Sequence, residues 1–226
     1  MFMKERFTPR RILCNILGLF LLALGIAASV RSDLGSSPVA SLPYMLNLVT
    51  GLEFGTATTA CMCLYVFIQF LILRRDFKLA ILLQLVIGFL FGYMNTFAVW
   101  IINLFPAPES IVMRLVCTCI GFVVGGFGVW LYNSANVIQM PTEGLCMVIA
   151  EKLGKPFHII KIFFDVSNVV LAGIFCLIFI RSLGSVGIGT VIISIMLGTM
   201  VGVYTRWWGK GLKAWFDKDK PIFKVK

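Results

Sequence analysis

Lys161 and Asp165 stand four residues apart in the stretch KIFFD, which opens into a long apolar run. On a helix that spacing puts both on one face. An acid at membrane depth is costly, and by default it marks an ion or substrate path. Lys161 can serve as its partner or reach back to the surface along its apolar stem. Two further stretches interrupt apolar sequence, RSDLGSSPVASLP (31–43) and SANVIQMPTEGL (134–145). They supply Asp33, Asn136 and Glu143 as further candidates for contact with a solute or coupling ion. In the first, the serines read as a helix cap, with Pro38 where its missing N–H costs nothing. In the second, Pro141 takes that place, with Thr142 and Glu143 in the first turn. Gly35, Pro38 and Pro141 are expected to shape a cavity. Positive helix N-termini facing that cavity would suit an anionic group on a solute. The same pattern also fits two amphipathic helices lying flat at the membrane surface.

Other chemistry has little support. There is no HExxH, no GxSxG and no cysteine–histidine spacing of a known centre, so the chain is not expected to be an enzyme. The seven cysteines lie in or beside apolar segments, and their odd number argues against a full disulfide framework. Cys61/Cys63 and Cys117/Cys119 are two apart, which on a helix points them opposite ways. They read as small apolar fillers, and no metal or cofactor is expected. The lone His158 follows a proline at a membrane edge and reads as interfacial.

The elements that must position these residues are membrane spans. Of 226 residues, 59% are hydrophobic and 13% charged, with a mean hydropathy of +0.96. Charge-free windows run Ile12–Val30, Phe54–Leu73, Leu79–Pro108, Leu115–Thr142, Val166–Ile180 and Ser182–Thr205. About 20 apolar residues cross a bilayer as a helix. The runs do not alternate as barrel strands would. The first run is too long for the core of a signal peptide and reads as a retained span. The fold class is therefore an all-α polytopic membrane protein with the lipid bilayer as its first partner. The net charge of +10 invites a nucleic-acid reading. Its distribution points to the membrane instead, and no nucleic-acid partner is expected.

The segments 38–50 and 141–153 are too short to span. With both left uncrossed and the N-terminus cytoplasmic, every basic residue falls inside or at the inner interface except Arg31, Arg114 and Arg181. That asymmetry obeys the positive-inside rule. The expectation is six spans, two short non-crossing helices, both termini cytoplasmic, and a basic tail over 209–226.

The chain also repeats. Gly18, Gly25, Pro38 and Gly51 recur at Gly121, Gly128, Pro141 and Gly154, and Gly88/Gly92 recur as Gly198/Gly202. The halves, 12–105 and 113–208, each hold three spans, so the second is inverted relative to the first. Inverted repeats are frequent in secondary transporters, with sites at the repeat interface. The small-xxx-small pairs Gly88/Gly92 and Gly198/Gly202 suit close helix crossings, within the chain or in a homodimer.

On these motifs the chain resembles the YczE/YyaS/YitT-type bacterial integral membrane proteins, above all their YczE-like branch. SDLGSSPVASL keeps Asp33, Leu34, Gly35 and Pro38 of that family's A-D-L-G-x-x-P-x-D-x-L pattern, with Ala40 at the second acid. ANVIQMPTEGL keeps Ala135, Pro141, Gly144 and Leu145, with Asn136 at the first acid and Glu143 at the second. GLEFGTAT (51–58), KIFFD and GIGTVIISIMLGTMVG (187–202) are similar to other family segments. The resemblance implies a bacterial plasma-membrane protein, often supposed to be a transporter. Two functions are expected from residues and resemblance together. One is a small secondary transporter or exporter of a small solute; the other is a non-transporting assembly or accessory factor for another membrane protein.

Overall fold

The computed structural model describes residues 7–184 and 186–218. Six helices are long and apolar enough to cross a bilayer. They are α1 (Pro9–Arg31), α3 (Phe54–Leu73), α4 (Leu83–Asn103), α5 (Ile111–Ala135), α7 (Phe157–Ile180) and α8 (Ile188–Phe216). Two short helices, α2 (Pro38–Thr50) and α6 (Pro141–Leu153), complete the order long, short, long, long, twice over. No strand occurs among the described residues.

Local sequence explains the boundaries. Thr8 accepts a hydrogen bond from the Arg11 N–H, and Pro9 opens the first turn of α1. Both short helices start on a proline and stop at a glycine in the left-handed region, Gly51 at φ 72° and Gly154 at φ 61°. Each has 13 residues. At 1.5 Å per residue they reach about 20 Å, short of the roughly 30 Å of hydrocarbon a span must cover.

Glycines decide which long helices touch. A Cβ on Gly25 would lie 2.5 Å from the Gly125 Cα, and one on Gly18 would lie 2.5 Å from the Tyr132 nitrogen. Backbones can approach that closely only where side chains are absent, and α1, the most buried of the spans, packs along α5 on this seam. A second seam joins α3 to α4. A Cβ on Gly92 would lie 2.8 Å from the Gly55 carbonyl oxygen, and one on Gly88 would lie 2.9 Å from the Met62 Cβ. Gln69 Nε2 donates to Gln84 Oε1 (2.9 Å) and to the Pro141 carbonyl (3.2 Å), tying α3 to α4 and α6.

Polar contacts sort the loops into two ends. At one, Arg114 pairs with Asp33 at 3.1 Å and Arg31 donates to the Phe105 carbonyl. At the other, Lys152 pairs with Asp76 at 3.5 Å, and Arg11 donates to the Ala135 carbonyl. These are the groupings that the charge pattern assigned to opposite faces.

The fifth span starts at Phe157, ahead of the charge-free window that opens at Val166, and so holds Lys161 as well as Asp165. α8 continues to Phe216, where Trp215 and Phe216 pack under the guanidinium groups of Arg10 and Arg11, 5.0 and 4.7 Å from the ring centroids, so the first residues of the expected basic tail are helical. Residues 219–226 of the expected tail lie outside the described residues. Gly198 and Gly202 have open space where a Cβ would stand, so within the chain they make no crossing like that of Gly88 and Gly92.

Candidate solute cavity

The last two long helices are held by different partners. α7 rests on α2 through Met45, Ala172 and Cys176, and on α6 through Cys146, Ala150 and Ile160. Tyr65 of α3 meets Phe164 edge to face at 5.3 Å. α8 leans instead on α5, where Tyr204 donates to the Val123 carbonyl at 3.1 Å within a cluster of Phe127, Trp130, Tyr204 and Trp208. Its other end is pinned by the Gly189 N–H, 2.7 Å from the Leu34 carbonyl. α7 and α8 hardly touch one another. Between them lies a cavity of about 550 Å³, backed by Leu22 of α1 and Val129 and Tyr132 of α5.

The N-terminal ends of both short helices reach this cavity, through Ser37, Pro38 and Val39 of α2 and through Met140, Thr142 and Glu143 of α6. Their C-terminal glycines, Gly51 and Gly154, are exposed. The short helices are therefore directed toward the cavity at their starts. Irregular backbone is tolerated at such depth because protein and cavity surround it.

Most of the wall is apolar, and the polar groups are few. Lys161 and Asp165 form an ion pair, with side chains 23% and 27% exposed. Glu143, the third residue of α6, sits in the positive field of that helix start. It accepts a hydrogen bond from the buried Tyr132 hydroxyl. Thr190 and Ser194 of α8 complete the set, and the buried Ser37 hydroxyl has no hydrogen-bond partner. This arrangement offers charge and hydrogen bonds at a few points on an otherwise greasy wall. That is the usual form of a small-molecule site.

Of the residues singled out from sequence, the fold brings Lys161, Asp165, Glu143, Pro38 and Gly198 to the cavity. Asp33 is exposed and paired with Arg114 instead. Asn136 is exposed at the C-cap of α5, with φ 48°. Gly35 is buried against Gly187 and Thr190, where it seats the start of α8. Pro141 is buried, and its carbonyl is taken by Gln69. Tyr132, Ser37, Thr190 and Ser194 escaped the sequence reading. Each is an uncharged polar residue, a type that in a span more often joins helices than forms a site. Only the position of Tyr132 relative to Glu143, 11 residues on across a break, could have flagged it.

A family of unknown function, DUF6198, matches residues 9–206. The chain belongs to this family. Among curated relatives, it is 26% identical over 185 residues to an uncharacterised protein, YyaS, of Bacillus subtilis, covering 82% of this chain and 87% of that one. An uncharacterised protein of Haemophilus influenzae is 24% identical over 82% of this chain and 79% of its own length. The uncharacterised membrane protein YczE of Bacillus subtilis is 30% identical over 61% of each chain. No solved structure matches. The expected resemblance to YczE/YyaS-type proteins holds, and with six apolar spans the family member described here is a multi-pass membrane protein.

Proposed function

We propose that this protein is a small secondary transporter of the bacterial plasma membrane, with both termini cytoplasmic, built as two inverted halves that give alternating access to the cavity. The observation that carries the reading is a broken symmetry. Counterparts in the two halves make exchanged contacts: Gly18 meets Gly128, while Gly25 meets Gly121. α2 packs on α7 as α6 packs on α3, and α1 packs on α4 as α5 packs on α8. The clearest departure from this symmetry lies in the last two spans of each half. α3 and α4 are sealed by glycines, whereas α7 and α8 stand apart over the cavity. Two halves of like build in unlike states are what alternating access requires of a carrier caught on one side.

The Lys161–Asp165 pair and Glu143 are the groups through which a solute or coupling ion would act. In the second state α7 and α8 close as α3 and α4 do now, bringing Ile162 to Gly202 as Thr59 lies by Gly92. Cysteines at Ile162 and Gly202 test this in membranes, with the linked peptides identified by mass spectrometry against the native thiols. A cross-link is expected, together with a complementary loosening of the α3–α4 seam. Thiols that both react with maleimide but never join would refute the two-state reading.

A further inference from the structure

The wall facing the bilayer is unusual. Ile162, Val166 and Val170 of α7, and Val191 and Ile195 of α8, all border the cavity. The same side chains are all more than half exposed. Because they recur along both helices, and the two helices hardly touch one another, the opening follows the gap between them. For a membrane-embedded bundle that opening leads to acyl chains rather than water, so what enters must partition into lipid.

The charges restrict the occupant further. Three charged side chains line the described cavity: Glu143, Lys161 and Asp165. Lys161 is already engaged by Asp165. Glu143 has the Tyr132 hydroxyl and its own helix start, worth about half a charge, and shares the field of the Lys161–Asp165 pair, which sums to no net charge. One carboxylate is thus left in excess in an apolar enclosure, where it is attracted most strongly to a whole positive charge. The start of α2, with its unpartnered Ser37 hydroxyl, offers an anion only a partial charge. The sequence had favoured an anionic group on the solute; the assembled wall reverses that sign.

We propose that the cavity takes a lipophilic cation, a single positive charge on an apolar body, admitted from the bilayer between α7 and α8. The proposal rests on reading this cavity as the carrier's site, but it concerns what binds rather than what is moved. The test uses the full chain in lipid nanodiscs and equilibrium dialysis, with protein-free nanodiscs subtracted. The probes are tetraphenylphosphonium, its like-shaped anion tetraphenylborate, and choline, a cation without the apolar body. Saturable phosphonium binding is expected, with the borate and choline at least about tenfold weaker, a difference of 1.4 kcal/mol. Glu143→Gln can still accept the Tyr132 hydrogen bond, so it should fold, and it should weaken phosphonium binding by a similar factor. Ile195→Trp, on the lipid-facing rim, should slow association while leaving the charges in place.

Equal or tighter binding of the borate, absence of saturable phosphonium binding in a monodisperse sample, or an unchanged affinity in Glu143→Gln would overturn the proposal. Counterflow in proteoliposomes separates it from the transporter reading. Phosphonium that binds but is exchanged no faster than across protein-free liposomes leaves this inference standing and counts against the carrier reading. Another solute exchanged without phosphonium binding does the reverse.

Discussion

The α3–α4 seam and the α7–α8 gap start from the same glycine spacing and end in opposite states. Gly88 and Gly92 on α4 are matched by Gly198 and Gly202 on α8. What differs is the helix facing them. Counted from their first residues, α3 offers Gly55, Thr59 and Met62 where α7 has His158, Ile162 and Asp165. Small residues on one helix permit a close crossing; they do not compel it. The crossing also needs a partner face that is thin and uncharged. α3 supplies one, and α7 presents a bulkier row with an ion pair in it. The row on α7, rather than α8, thus favours the open arrangement and makes closing the gap the costlier of the two states.

The largest effect should come from filling the seam. Gly92→Leu would drive a side chain into the Gly55 carbonyl, where even a Cβ has 2.8 Å. Overpacking of this kind costs about 1–3 kcal/mol or more, and loss of monodisperse protein on size exclusion is expected. Gly202→Leu, with open space around it, should change stability by less than about 0.5 kcal/mol.

Next in size is the ion pair. Asp165→Met alone leaves Lys161 without its partner. A fully buried orphan would cost about 3–5 kcal/mol. With both side chains roughly a quarter exposed, about 1–2 kcal/mol is the discounted expectation. Adding Lys161→Thr gives α7 the Thr58 and Met62 of α3 at the same places in the helix. That double variant should regain thermal stability, raise the Ile162–Gly202 cross-linking yield, and lose ligand binding. If it regains stability without closing the gap, the difference between seam and gap does not lie on α7.

Tyr132→Phe removes the donor to Glu143 and should lower stability by about 1–2 kcal/mol, read as a shift in melting temperature of a few degrees. The smallest effect belongs to Asp33→Ala. Its pair with Arg114 is exposed, the Asp33 side chain by 70%, so less than about 1 kcal/mol is expected and no change in phosphonium binding. A large loss of binding in that variant would place Asp33 in the site after all.

Much of the fold was legible because the bilayer imposes it. Charge-free length identified the spans, proline and glycine marked the ends of the short helices, and the bias of lysine and arginine sorted the loops into two ends. Each of these signals is local, and each follows from the cost of burying backbone or charge in lipid. Nothing local in the basic segment after Thr205 announces that Trp215 and Phe216 meet Arg10 and Arg11 from the far end of the chain.

The candidate site was legible only in part. Lys161 and Asp165 declare themselves, since four residues on one helix fix their meeting without knowledge of any other helix. Asp33 and Glu143 occupy similar broken stretches, and sequence could not rank them. Tertiary contacts did so, by giving Asp33 an arginine at the surface and Glu143 a buried tyrosine at the cavity. Sequence by itself determined which segments enter the membrane, because transfer from water to lipid is a property of each segment alone. Whether equal glycine pairs seal or stand open, and which acids face the space between them, only the tertiary structure decided, because those outcomes depend on the face that another helix brings.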